Sequence, residues 1–124
     1  MKKTIKIGTK DVEFEANLGT SALYEILTGK NLFEELTENK ARPNDPDKDK
    51  RPARVMELYK KLAFVMHVQA ISPDIRAMNA KMNMDEFITW LFEFEVQDFN
   101  NDFINAITNL WAGSNNSTVE AKNP

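Results

Sequence analysis

Residues Val55–Ile71, VMELYKKLAFVMHVQAI, carry a hydrophobic pattern that changes partway along. Laid out at about 100° per residue, Val55, Tyr59, Leu62, Met66 and Ala70 form one apolar stripe, as an amphipathic helix requires. In the first half the opposite face is Glu57, Lys60 and Lys61, which favours water. In the second half that face becomes Phe64, Val68 and Ile71. A helix that is apolar all round needs neighbours on both sides. Each of these three side chains gains roughly 1.5–3 kcal/mol on leaving water, so exposure of all three is costly. Either another layer of the same chain covers them or a partner does.

Working outward, the chain has 124 residues, which predicts a single domain with a core of useful size. A composition of 42% hydrophobic and 28% charged residues, with eight Phe and two Trp, argues against global disorder. The net charge of −3 provides no field for a phosphate backbone, so nucleic-acid binding is disfavoured. Cysteine is absent, which excludes disulfides, thiol catalysis and thiolate metal sites. MKKTIKIGTKDVEF alternates instead of running apolar, so it is not read as a signal peptide. No stretch reaches the roughly 18–20 apolar residues of a membrane span. The expectation is a soluble intracellular protein.

Before Val55, Thr4–Ile7 and Asp11–Glu15 alternate around Gly8-Thr9-Lys10, which predicts a β-hairpin. Thr20 or Ser21 is placed to cap a helix over ALYEILT that Gly29 closes. Asn31 to Glu34 has capping-box spacing for a short helix, Leu32–Thr37. The segment 38–54, ENKARPNDPDKDKRPAR, has three prolines, many charges and no large apolar residue. It cannot offset its ordering entropy by burial and is expected to be a mobile loop.

After Ile71, Ser72-Pro73 predicts a stop and a fresh start, with a helix from Asp74 to about Lys81 burying Ile75 and Met78. Asn83-Met84-Asp85-Glu86 opens another helix. On it Phe87, Trp90, Leu91 and Phe94 form one stripe, with Ile88, Phe92 and Val96 on the other side. Phe99, Phe103, Ile107 and Leu110 align on a last helix that Gly113 is expected to end. The single globular domain is therefore placed at 1–112, followed by a polar, disordered tail at 113–124. The fold class is α+β, mainly α, with an N-terminal β-hairpin packed on a bundle of about five helices.

The residues offer little chemistry. His67 is the only histidine, and its i+4 and i+7 neighbours, Ile71 and Asp74, make no catalytic pair. Glu93, Glu95, Asp98 and Asp102 lack the shaped loop that Ca²⁺ requires, and no EF-hand, P-loop, dinucleotide or nucleophile-elbow motif occurs. The expectation is no enzyme, no cofactor and no metal. The positive signal is surplus apolar surface on helices, with flexible Met56, Met66, Met78, Met82 and Met84 of the kind used at adaptable interfaces. Phe64, Val68, Ile71, Ile88, Phe92 and Val96 are the candidate partner-binding residues, with core packing as the competing reading. Helix-in-groove binding or self-association would use such faces.

IKIGTKDVEFEANLGTSALYEILTGKNLFEEL, a charged gap, MNMDEFITWLFEFEVQDF and a closing INAITNLWAG resemble the tail assembly chaperones of long-tailed phages and prophages of Gram-positive bacteria. The resemblance covers most of the chain outside 38–54. It implies a non-virion helper in the cytoplasm of the bacterial host that binds the tape measure protein, keeps it soluble and helps recruit tail tube subunits. It implies no catalytic residues. It also implies that a fraction of translation shifts frame near the end of the gene, giving a longer form that engages the tail tube protein. Ala121-Lys122-Asn123 and Gly29-Lys30-Asn31 are both codon-compatible with the slippery heptamer A AAA AAC. The alternative from another class is a structural virion component such as a tail-completion protein.

Overall fold

Alternating Ile5, Ile7, Val12 and Phe14 put one face of a two-stranded antiparallel hairpin, β1 (Lys2–Ile7) and β2 (Lys10–Glu15), into the core. The computed structural model describes residues 1–40, 43–46 and 48–120, with side chains as far as Gly113. Ile7 pairs with Lys10, so the turn is Gly8-Thr9, one residue shorter than expected, and Gly8 has φ +63°. A two-residue hairpin with its first central residue in this region fits the strand twist, and glycine adopts that φ without a Cβ clash.

Among the described residues six helices follow: α1 (Thr20–Thr28), α2 (Leu32–Glu38), α3 (Arg51–Ile71), α4 (Ile75–Lys81), α5 (Met84–Leu91) and α6 (Asn101–Glu120). A 3-10 turn, Val96–Asp98, separates the last two. The architecture is α+β and mainly α, as the sequence pattern predicts. Helix α3 is its axis, packing against β2, α1, α4, α5 and α6. Leu62, Ala63, Val65 and Met66 are fully enclosed, and Phe64 and Val68 nearly so. Phe64 and Val68 on the second face of α3 are therefore covered by their own chain, whereas Ile71 at its end stays half exposed. The first half, flanked by Glu57, Lys60 and Lys61, remains wetter.

Several boundaries differ from expectation for identifiable reasons. Thr20 does not cap α1; Gly19 holds that position. The Thr20 hydroxyl instead donates to Gln69 Oε1 at 2.7 Å and accepts from the Asn17 N–H, while Gln69 Nε2 donates to Asn17 Oδ1 at 2.9 Å. This network ties the start of α1 to the end of α3, and satisfying buried Thr20 and Gln69 outweighs one capping bond. Gly29 closes α1 in the left-handed conformation, and Asn31 and Asn83 cap α2 and α5 as expected. Asp74 caps α4 by accepting from the Ala77 N–H, and Ile75 stays 58% exposed instead of buried.

The segment 38–54 is shorter than expected as a loop, because Glu38 belongs to α2 and Arg51–Arg54 form the first turn of α3. Pro52 suits a first turn, and Arg51 and Arg54 donate Nε–H to the Asn39 carbonyl and side-chain oxygens. The expected mobility of 38–54 falls partly on Ala41, Arg42 and Asp47, which lie outside the described residues. Gly113 does not end α6, which runs on to Glu120. A helical glycine costs only about 1 kcal/mol relative to alanine, and buried Leu110 and Trp111 anchor the preceding turn. Of the expected disordered tail, 121–124 lie outside the described residues.

Candidate functional site

Phe64 is 3% exposed, with ring centroids 5.6 Å from Phe87 and 5.7 Å from Trp90, and Val68 is 1% exposed. Both were candidate partner contacts, and both belong to the core. The reason is that α5 turns its Phe87/Trp90 stripe onto the second face of α3. The two helices cover each other at Phe64, and Val68 is enclosed in the same core, so neither is available to a partner.

The other four candidates are on the surface. Ile71 is 48%, Ile88 44%, Phe92 81% and Val96 91% exposed. They do not form one array. Ile71, at the end of α3, lines a cleft of about 190 Å³ with Val12, His67, Trp90 and Phe94. Ile88 and Phe92 lie on the outward side of α5, away from Phe87 and Trp90. Met84, 42% exposed, precedes them by one turn, so Met84, Ile88 and Phe92 follow i, i+4, i+8 spacing. The sequence reading placed Met84 only among adaptable methionines, although the same spacing would have put it on this stripe.

Val96 is not on that helix. The expected helix through Val96 ends at Leu91 because Glu95 and Asp98 form a reciprocal capping box. The Glu95 N–H donates to Asp98 Oδ2 at 2.8 Å, and the Glu95 side chain accepts from the Asp98 N–H. This starts a new turn and breaks the ladder of the old one. Phe94 then joins an aromatic chain, Trp90–Phe94–Phe99–Phe103, with successive centroids 5.0, 5.4 and 5.0 Å apart. Lys10 lies 5.7 Å from the Phe94 centroid and 3.6 Å from Glu93, fastening this segment to the hairpin.

Several titratable groups are committed to structure. His67 stacks on Trp90 at 5.6 Å, and its Nδ1 lies 2.8 Å from the Glu13 carbonyl oxygen, so that nitrogen carries the proton and donates. Glu93 pairs with Lys10, while Glu95 and Asp98 cap each other. Among the described residues, no three His, Cys, Asp or Glu side chains converge on a metal position. A larger cleft of about 670 Å³ between α1, α2, the start of α3 and Met84 of α5 is lined by Tyr24, Glu35, Glu38, Arg54, Glu57 and Lys61. Burial pushes the Tyr24 phenol well above its usual range, and its hydrogen bond to Glu35 Oε1, 2.8 Å, adds to the shift. A phenol held neutral in this way is a donor that orders α2, not a base. No described helix is long and apolar enough to cross a membrane.

The described surface thus presents an exposed apolar stripe on α5. Comparison with protein-family models, curated proteins and solved structures finds no match.

Proposed function

We propose that this chain is a tail assembly chaperone of a long-tailed phage or prophage. Its outer α5 face, Met84, Ile88 and Phe92, binds amphipathic helices of the tape measure protein and keeps that protein soluble. The observation that carries the reading is Phe92, a phenylalanine 81% exposed at the end of a well-capped helix whose inner face is fully used by the core. Burying a Phe side chain gains roughly 1.5–3 kcal/mol, and a line of three large apolar groups extends that gain along two turns. The sequence resemblance supplies the client. On this reading the protein acts in the host cytoplasm, is absent from the finished virion, and recruits tail tube subunits through a longer frameshifted form.

The test is co-expression with the tape measure protein. The chaperone should move that protein from the insoluble to the soluble fraction, and Phe92→Ser should lose most of the effect while remaining folded. Equal solubility without the chaperone would refute the proposal. So would its presence at stoichiometric levels in purified particles, the result expected of a structural tail component.

A further inference from the structure

The two edges of the hairpin are treated differently by the rest of the chain. Met1 and Ala16 exchange both main-chain bonds, Met1 N donating to Ala16 O at 2.7 Å and Ala16 N to Met1 O at 2.9 Å. Antiparallel pairs alternate, so Lys3, Ile5 and Ile7 also bond inward to β2, while the N–H and C=O of Lys2, Thr4 and Lys6 point away from it. By the same rule the main chain of Asp11, Glu13 and Glu15 points outward from β2. That strand packs against α3, where His67 Nδ1 donates to the Glu13 carbonyl oxygen at 2.8 Å. The β1 edge has no such cover. Among the described residues nothing bonds the main chain of Lys2, Thr4 or Lys6, although α6 also packs against β1. A row of unpaired main-chain donors and acceptors is a template for another strand.

The charges along that edge say which strand. β1 carries Lys2, Lys3 and Lys6 and no acid; all three are exposed, and none lies within 4.0 Å of a described carboxylate. The neighbouring ions are otherwise engaged: Lys10 with Glu93, the Met1 ammonium with Glu15, and Asp98, beside the Gly8 turn, with the Glu95 N–H. On its inner side β1 already pairs with an acidic alternating strand, Lys6, Thr4 and Lys2 standing opposite Asp11, Glu13 and Glu15. We infer that the open edge of β1 accepts an extended acidic segment of a partner protein, one with Asp or Glu at i and i+4 to stand opposite Lys2 and Lys6. Directly opposed unlike charges favour a strand pair, and like charges disfavour it. The acids of β2 lie two strand spacings from such a segment, roughly 9–10 Å, beyond the Debye length of about 8 Å at physiological salt. Edge lysines deter strands of other composition and admit an acidic one. A second copy does not fit. A two-fold pairing of β1 with β1 through Thr4 sets Lys2 on Lys6, and the acidic edge of β2 is taken by α3 and His67. This surface is separate from the α5 face and does not depend on it.

Two fluorescent peptides of about nine residues, the length of a long strand, test this. Both alternate valine or threonine with a charged residue, glutamate in one and lysine in the other. Anisotropy titration of the whole protein should show the glutamate peptide binding at least about ten-fold more tightly. On binding, amide exchange at Lys2, Thr4 and Lys6 should slow by about ten-fold or more. N-methylating one alternate set of peptide amides should abolish binding and N-methylating the other should spare it, since only one set faces β1. The variant Lys2→Gln/Lys6→Gln should keep its melting temperature and lose the preference for glutamate. No binding of the glutamate peptide, or equal binding of both, would overturn the inference. Binding indifferent to both methylated sets, or without protection at Thr4, would show plain charge attraction and overturn it too. Protection of Thr4 that grows with protein concentration alone would replace the acidic segment with a second copy. None of these outcomes bears on the α5 face, which Phe92→Ser tests.

Discussion

Replacing Phe64 and Phe92 in turn separates core from surface on two phenylalanines that look equivalent in sequence. Phe64 is 3% exposed and wedged between Phe87 and Trp90, so Phe64→Ala removes a buried ring and leaves a cavity between α3 and α5. Core Phe→Ala substitutions cost about 3–5 kcal/mol. At roughly 0.05–0.15 kcal/mol per residue, a chain of this size has a total stability of only about 6–18 kcal/mol. One substitution thus removes a large share, and Tm should fall by roughly 10–20 °C. Phe92→Ser deletes a side chain that is 81% in water and should change stability by no more than about 0.5 kcal/mol. Urea unfolding followed by Trp90 and Trp111 fluorescence, with thermal melts by circular dichroism, measures both. A Phe64→Ala cost below about 1 kcal/mol would refute the α3–α5 packing. A Phe92→Ser cost comparable to that of Phe64→Ala would place Phe92 in the core and remove the proposed docking face.

Gly8 and Tyr24 test other parts of the fold. A Cβ on Gly8 would run into the Asp98 carboxylate, and φ +63° is a left-handed conformation. Gly8→Ala should therefore cost about 2–3 kcal/mol, combining left-handed strain with loss of the Asp98–Glu95 bond. In an Asp98→Ala background the further cost should shrink to about 1 kcal/mol, and an unchanged urea midpoint for Gly8→Ala alone would refute the contact. Tyr24→Phe, which removes the 2.8 Å bond to Glu35, should cost about 1 kcal/mol at neutral pH. Because the native phenol holds its proton while the unfolded one ionises near pH 10, the stability it contributes is complete below about pH 10 and declines above it. Tyr24→Phe should flatten that alkaline decline in urea midpoints taken at increasing pH, and an unchanged slope would refute the burial argument.

The change of pattern within Val55–Ile71 correctly announced a helix needing cover on two faces, because side chains 3.6 residues apart must share a side whatever lies beyond. Asn31, Asn83 and Gly29 were readable for a related reason: capping is settled within four residues. The identity of the covering layer was not local. Phe64, Val68, Ile88 and Phe92 are similar in size and polarity, and whether each is inside depends on how α5 rolls against α3. The roll is set by Phe87 and Trp90 fitting Phe64, and by the capping box that ends the old helix before Val96. Thr20 shows the same limit. Its spacing suits a cap, but Gln69, distant in sequence, offers a buried partner that the local pattern does not contain.

By itself, then, the sequence determined the α+β class, the hairpin, most helix starts and the surplus of apolar faces, since these follow from periodicity and short-range hydrogen bonding. Only the tertiary structure decided which surplus was satisfied internally. Burial is a property of pairs of elements, and α3 and α5 bury Phe64 by facing each other. That geometry leaves the opposite side of α5, from Met84 to Phe92, open to water.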